Sequence, residues 1–260
     1  MLTTRIRTRS RAAGSVITLA FAMSACAAPS ASEAGSPSPS AVQSSAVQSS
    51  AVQSSAETPS PSDVVGFTPH EPLEPGTYTS YVFDTPLTFT VPAGWKVFED
   101  EIGQFGLALL DNDGPCLCVW RDVQVAAPGC APVPQPGIGM SAAEVTESLS
   151  SRPGLLPSVP APVSIGGLSG WVVDVRMDPA WTETCGGQAS VATLVGTGIS
   201  SGVFWGAGAD SAQRVYVLDL GGADSGNIAI NVEVCCGVDF ETRMAAVTPV
   251  IESFEFPTSP

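Results

Sequence analysis

The chain has 260 residues, of which 25 are Asp or Glu and 10 are Lys or Arg, so its formal net charge is −15. So acidic a protein repels nucleic acid and anionic lipid head groups, which excludes both as ordinary partners. If its partners are charged, we expect cations or basic proteins.

The first 25 residues have the layout of a secretory signal peptide. Four arginines between Arg5 and Arg11 precede a short apolar run from Ala12 to Met23. This run is shorter than the ~20 residues that a membrane-spanning helix needs, so we expect a cleaved signal rather than a permanent span. Its removal leaves 6 Lys or Arg against 25 Asp or Glu, a formal charge of −19.

Residues 23–26, Met-Ser-Ala-Cys, resemble the lipobox of bacterial lipoproteins, in which the cysteine takes a diacylglyceryl thioether before cleavage. Two acyl chains such as palmitate give a stable anchor, whereas one chain binds only marginally. The sequence therefore predicts a protein held by lipid at Cys26 on the extracytoplasmic face of the cell membrane. The alternative is an ordinary signal, cleaved after Ala25 or Ala28, that releases a soluble protein.

Residues 26–75 are predicted to form a disordered stalk. They are rich in Ser, Pro, Ala and Gln, and Ala-Val-Gln-Ser-Ser occurs three times in a row over residues 41–55. Such a segment cannot bury enough apolar area to offset the entropy of ordering it. The only histidine, His70, lies near its end. Residues 76–260 are then long enough for one domain with a substantial core.

Six cysteines fall in this predicted domain. An even number in an exported chain indicates three disulfides, for which six cysteines allow 15 connectivities. Bonds within the two closely spaced pairs would be strained, which leaves ten connectivities open. The six disulfide candidates are Cys116, Cys118, Cys130, Cys185, Cys235 and Cys236.

The two closely spaced cysteine pairs, 116/118 and 235/236, also suit an alternative in which their thiolates carry Cu(I) or Zn(II). Zinc sites more often have two residues between paired cysteines, or histidines, and this domain has neither. Thiols outside the cytoplasm also oxidise. We therefore expect disulfides, with no metal and no cofactor.

Alternating apolar residues predict strands first in the domain, with turns at Pro92-Ala93-Gly94 and Asp111-Asn112-Asp113-Gly114. The second turn resembles the start of a calcium loop but lacks the downstream glutamate at the required spacing. The predicted strands are Thr77–Phe83, Leu87–Val91, Trp95–Glu99, Gln104–Leu110 and Cys116–Val125.

A helix is predicted after these strands. Ser141 is its N-cap, Glu144 completes a capping box, and Met140 with Val145 can form a hydrophobic staple. Arg152-Pro153-Gly154 ends it.

Alternation then returns, and a second helix follows. Trp171, Val173, Val175 and Met177 share one predicted strand face, and Ile228, Ile230, Val232 and Val234 share another. Asp239 is predicted to begin the second helix, interrupted near Pro249, before a last strand over residues 253–256. Between the two faces we expect strands at Gln188–Val195, Gly202–Ala207 and Arg214–Leu220. This order predicts an α+β fold, a single domain with a mainly antiparallel β-sheet and two helices packed on it.

Several short sequence segments resemble an uncharacterised family of exported actinobacterial and related proteins. The resemblance covers most of residues 75–257, and its Val-Pro-Ala-Gly-Trp hairpin is also similar to the PsbP-like fold. It implies a fold but no activity. The segments are Pro75-Gly76-Thr77-Tyr78, Leu87–Trp95, the Ala-Ala-Glu-Val helix followed by Arg152–Leu155, Ile165–Gly170 and Val215–Leu220.

Gly198-Ile199-Ser200-Ser201-Gly202 matches the G-x-S-x-G pattern of hydrolases, which makes Ser200 the candidate nucleophile of an alternative serine hydrolase. A serine nucleophile needs a base, and His70 is predicted to lie in the stalk. The flanking residues indicate strand and turn without the following helix. We therefore expect no catalytic residues and no enzyme.

Residues 178–187 form the predicted loop in which we look first for a binding patch, and the alternative is that Trp181 folds back over the edge of the core. Trp95 and Trp171 are expected in the core, but Trp181 lies in a loop that a disulfide at Cys185 would hold rigid. Asp178, Trp181 and Glu183 are the binding-loop candidates. The sequence thus favours a lipid-anchored, non-enzymatic envelope component that binds a protein or ligand through this loop; its oligomeric state is left open.

Overall fold

The computed structural model describes residues 66–110, 117–185, 187–196, 204–221, 226–235 and 237–257. The predicted signal peptide, the predicted lipidation site Cys26 and most of the predicted stalk lie outside these ranges. So do Ser200, the turn predicted at Asp111–Gly114, Cys116 and Cys236.

Two helices and fifteen strands occur in the described ranges. The helices are α1 (Ala142–Ser150) and α2 (Phe240–Glu252). The strands are β1 (Pro72–Leu73), β2 (Gly76–Ser80), β3 (Leu87–Val91), β4 (Trp95–Glu101), β5 (Gln104–Leu109), β6 (Leu117–Arg121), β7 (Val123–Val125), β8 (Leu155–Pro157), β9 (Ala161–Ile165), β10 (Leu168–Met177), β11 (Thr184–Cys185), β12 (Gln188–Gly196), β13 (Phe204–Gly208), β14 (Ala212–Asp219) and β15 (Asn227–Val234).

A nine-stranded sheet forms the centre of the fold. Its order is β1-β4-β5-β6-β15-β14-β10-β8, with β9 also paired to β10. Its neighbouring strands run antiparallel, β14 with β15 and β10 with β14 among them. A smaller sheet joins β7, β11, β12 and β13, and β2 pairs with β3 as a hairpin. The fold is therefore α+β, with a mostly antiparallel sheet, as predicted.

The central sheet is covered on both faces. Tyr216 and Leu218 of β14 face a core shared with the β2–β3 hairpin and α2, whereas Val215 and Val217 face a second core shared with α1 and the smaller sheet. Successive side chains of a strand point to opposite faces, so this alternation buries β14 on both sides. The predicted common face of β15 is confirmed, because its four apolar residues from Ile228 to Val234 all belong to the first core.

Helix α1 begins as predicted. Ser141 is its N-cap, and the backbone N–H of Glu144 donates to the Ser141 hydroxyl over 3.3 Å. The Glu144 carboxylate accepts in return from the Ser141 backbone N–H over 3.4 Å, which completes the capping box. The described helices include none that is long and apolar enough to cross a membrane.

Helix α2 corrects two predictions at the end of the chain. Asp239 caps it as predicted, but the helix continues through Pro249 to Glu252. Proline removes one backbone hydrogen bond to the residue four positions earlier, and that residue, Ala245, is exposed so that water can replace it. The predicted strand over residues 253–256 is absent, because only Glu255 forms a bridge, with Thr88.

Ordered structure begins before the predicted boundary at residue 76. Leu73 is 6% exposed and Phe67 packs against the first core. The backbone N–H of His70 donates to the Val97 carbonyl over 2.6 Å, and β1 pairs with β4. Two apolar side chains thus tie residues 66–75, predicted as stalk, to the domain.

The two tryptophans that were expected in the core differ in how much of each is exposed. Trp95 is 2% exposed, as predicted, but Trp171 is 37% exposed, which corrects its assignment. Trp171 lies beside Asp219, whose carboxylate accepts from the backbone N–H of Ala142 at the start of α1 over 2.8 Å. The helix therefore covers the later residues of β10 and leaves Trp171 at the edge of the second core.

Candidate functional site

A cavity of about 310 Å³ lies where four segments meet. The C-terminal end of α1 supplies Ser148, Ser151 and Arg152, and β12 supplies Ser190, Val191 and Ala192. The loop after β7 supplies Gln135, and the loop before β11 supplies Trp181 and Glu183. Of the predicted binding-loop residues, Trp181 and Glu183 therefore line this cavity.

The smaller sheet leaves room for this cavity because β12 is not continuously paired. On one side β11 pairs with Gln188 and Ala189, and β7 pairs with residues 194–196. Between them, Ser190 to Ala192 pair with none of the described strands on that side. The backbone N–H of Ser190 bonds to the Glu183 carbonyl over 3.3 Å, and the cavity occupies the gap beyond it.

A disulfide between Cys130 and Cys185 closes one wall of the cavity. It joins the loop after β7 to β11 across a sequence separation of 55 residues. Two of the six disulfide candidates are thus paired with each other. Cys118 also lies in a disulfide, and Cys235 is half-buried directly after β15.

Trp181 is fixed in the cavity wall by three contacts. Its indole Nε1 donates to the Ser190 carbonyl over 3.1 Å, and its backbone N–H donates to the Asp178 carbonyl over 2.9 Å. Its ring packs on Gly154, where an added Cβ would stand 2.5 Å from Cδ2. Because both the indole ring and the backbone of Trp181 are already held, the residue loses little conformational entropy when a ligand packs on the ring.

Asp178 holds the loop rather than lining the cavity. Its carboxylate accepts from the backbone N–H of Ala180 over 2.8 Å, and its own N–H donates to the Gly154 carbonyl over 2.8 Å. These bonds tie the loop to the turn that ends α1. The structure thus places Asp178 as a positioning residue for Trp181.

Arg152 brings a positive charge to the cavity wall. Its guanidinium donates from Nη1 to Oε1 of Gln135 over 3.3 Å and from Nη2 to the Ala127 carbonyl over 3.2 Å. Burial lowers the pKa of Arg152 below its usual value. The sequence placed Arg152 only at the end of a helix, and its single signal was a long basic side chain directly before Pro-Gly.

The thiolate metal site and the serine hydrolase were the two alternatives from the sequence. In those ranges, no group of three or more His, Cys, Asp or Glu side chains is arranged to hold a metal ion. Cys118, a thiolate ligand in the metal alternative and a disulfide candidate in the main prediction, lies in a disulfide and has no thiolate to offer a metal. Ser200, the candidate nucleophile, is outside the described residues.

Comparison with known proteins gives no family. No family model matches the sequence, and no curated protein is similar to it. Among solved structures, a protein from Bacteroides thetaiotaomicron is similar over 66% of this chain with 12% identity and a TM-score of 0.31; this chain spans only 45% of that protein. LpqN, a Mycobacterium tuberculosis protein described as involved in cell envelope biogenesis, is similar over 72% of this chain and 90% of its own, with 12% identity and a TM-score of 0.35. With TM-scores this low, neither likeness defines a shared fold.

Proposed function

We propose that this domain is a non-enzymatic binding module of the cell envelope, which takes a small organic molecule into the cavity beside Trp181. The cavity is the observation that carries the proposal. Its volume of about 310 Å³ lies at the lower end of the range for ligand pockets. It is also lined as such pockets are, by an aromatic ring, aliphatic side chains and a few polar groups.

The bracing of the cavity supports binding over a purely structural gap. The Cys130–Cys185 disulfide and the Trp181–Ser190 hydrogen bond both hold its wall in place without a ligand. A wall that is already ordered pays less entropy on association. A residue position selected only for stability would fill this space, because an unfilled cavity lowers the free energy of unfolding.

Placement outside the cytoplasm is part of the proposal. A disulfide is typical of proteins in oxidising compartments, and the Cys130–Cys185 bond fits that environment. The predicted lipid at Cys26 and the low-complexity stalk would present the domain away from the membrane surface. In this proposal the ligand is an envelope or extracellular molecule, and the domain acts on it by binding alone.

Intrinsic tryptophan fluorescence tests binding at this cavity. Benzamide, a small neutral aromatic amide, is titrated into the purified full chain, and a saturable change in fluorescence is expected with a Kd in the millimolar range or tighter. Trp181→Phe should abolish most of the change. Trp171→Phe is the matched control, because Trp171 is a half-exposed tryptophan outside the cavity, and it should leave the change intact.

Two results would count against the proposal. A linear, non-saturating response to benzamide and to its carboxylate analogue benzoate would mean that the cavity holds no small aromatic ligand. A saturable response that Trp181→Phe leaves unchanged would place binding elsewhere on the protein.

A further inference from the structure

We infer that the cavity selects a ligand that carries a single carboxylate, which binds the guanidinium of Arg152 while the rest of the ligand packs on Trp181. This inference rests on the proposed function and narrows it to one chemical class.

The charge of Arg152 has no acidic partner among the described residues. Both groups that accept from its guanidinium, the Gln135 side chain and the Ala127 carbonyl, are neutral. Burial lowers the pKa of Arg152, and no carboxylate offsets that burial. A half-buried charge with only neutral partners is costly, and an anionic ligand would relieve that cost.

Two other arginines of the described domain form ion pairs with carboxylates. Arg214 makes a two-fold ion pair with Asp174, at 2.6 and 2.8 Å, and Arg121 pairs with Asp84 at 3.1 Å. The chain carries 25 acidic side chains against 10 basic ones, so an acidic partner is easily supplied. Arg152, Arg176 and Arg243 form no ion pair with a described carboxylate, and of these three it is Arg152 that lines the cavity, which favours a role in binding.

The free donors of Arg152 match a carboxylate. A guanidinium has five N–H groups in a planar fork, and two of them are used by Gln135 and Ala127. The remaining three include one at each terminal nitrogen and one at Nε. Two parallel N–H groups of this fork can bind both oxygens of a carboxylate, which gives orientation as well as affinity.

Glu183 argues for one negative charge rather than two. Glu183 is an exposed residue of the cavity lining, and its negative charge repels an incoming anion. Repulsion by Glu183 and attraction to Arg152 both grow in proportion to ligand charge, whereas the cost of taking the anion out of water grows more steeply, which favours a carboxylate monoanion over a phosphate dianion. A like charge at the rim is a common way to exclude an unwanted ligand.

The remaining wall sets the shape of the ligand. Trp181 provides an apolar surface next to the edge of β12 at Val191 and Ala192. Aromatic rings favour offset or edge contacts with a second ring, so a flat apolar group next to the carboxylate fits this wall. Benzoate is the simplest probe with both features.

Isothermal titration of the purified full chain with three probes tests the inference. Benzoate carries the single charge, benzamide is its neutral isostere, and phenyl phosphate carries the dianion. We expect benzoate to bind roughly tenfold or more tightly than benzamide, as expected for a charge-assisted hydrogen bond, and more tightly than phenyl phosphate. Arg152→Gln should remove this preference, and Arg152→Lys should restore only part of it, since lysine keeps the charge and loses the fork.

Lys96→Met is the matched control, because it removes one positive charge from β4, outside the cavity lining. It should leave the preference for benzoate intact.

Equal binding of benzoate and benzamide would overturn the carboxylate inference while leaving binding at the cavity in place. Tighter binding of phenyl phosphate would overturn the preference for a single charge. A preference that Lys96→Met abolishes as fully as Arg152→Gln would make it an effect of net charge and would also overturn the inference. Failure of all three probes to bind would contradict the proposed function itself.

Discussion

Gly154 lies directly against the indole ring of Trp181. A Cβ at position 154 would stand 2.5 Å from Cδ2 of the ring, which is closer than real Cβ atoms approach. The backbone of Gly154 also has a φ of +84°, in the left-handed region. The turn that ends α1 thus sets the position of the aromatic wall of the cavity.

Replacing Gly154 by alanine should displace Trp181 and weaken probe binding. We expect benzoate affinity to fall by roughly tenfold and the free energy of unfolding to fall by about 1–3 kcal/mol, from backbone strain and the steric clash. Urea unfolding and isothermal titration measure the two effects. Gly94→Ala is the control, because Gly94 shares the positive φ and has nothing near its added Cβ. Equal effects of the two variants on binding would contradict the role of Gly154.

The Cys130–Cys185 disulfide should stabilise both the domain and the cavity. The double substitution Cys130→Ser with Cys185→Ser should lower the free energy of unfolding by about 2–4 kcal/mol, because the bond closes a long loop in the unfolded chain. It should also weaken benzoate binding, measured at a temperature where the variant stays folded. Unchanged affinity in a folded variant would show that the bond does not brace the cavity.

Glu233 should make stability depend on pH. Burial raises the pKa of this carboxyl above its usual value, with hydrogen bonds from Ser211 and Gln213 opposing the shift. The folded state therefore binds the proton more tightly, and stability is lost as pH rises above the unfolded value of about 4.3.

The substitution Glu233→Gln should remove that loss. Its free energy of unfolding, relative to the unaltered chain, should increase as pH rises from about 4 to 7. Urea unfolding across this pH range is the measurement, and Glu71→Gln, at an exposed glutamate, controls for the loss of one negative charge. A difference that stays flat with pH would mean that Glu233 ionises as easily in the folded chain as in the unfolded one.

The lipidation predicted at Cys26 would place the protein in the membrane fraction of the cell. Cys26→Ser should move the chain from the membrane fraction to the soluble fraction, because no acyl chain can be attached. Ser24→Ala keeps a small residue before the cysteine and should leave the chain in the membrane fraction. Membrane association of the Cys26→Ser chain, or an unacylated native terminus by mass spectrometry, would contradict the anchor.

Local sequence signals predicted the regular elements well. The capping box of Ser141 and Glu144 and the strand Leu87–Val91 depend on neighbouring residues alone, and both occur as expected. The strands β1, β8 and β11 were missed because two or three residues carry too little alternation to stand out, and β9 was missed because Pro162 interrupts its pattern. The predicted strand over 116–125 is divided at Asp122, which has a φ of +56° that no sequence pattern announced.

The candidate site could be predicted only in part. An aromatic residue near a cysteine in a loop singled out Trp181, but the strands β8, β9 and β10 separate it from Arg152 in the sequence. The two residues reach the same cavity because β8 pairs with β10 and Asp178 bonds to Gly154, and no local pattern predicts which strands pair. The exposure of Trp171 was missed for a similar reason, since the alternation of β10 does not reveal how far α1 extends over it.

Nuclear magnetic resonance of the five tryptophan indole N–H groups tests the central claim most directly. Benzoate is titrated into the ¹⁵N-labelled full chain, and Trp181→Phe assigns the indole signal of Trp181. We predict that this signal shifts saturably with benzoate, while that of Trp95, buried in the opposite core, stays in place. A Trp181 signal that does not move, while the protein remains folded, would contradict binding at this cavity.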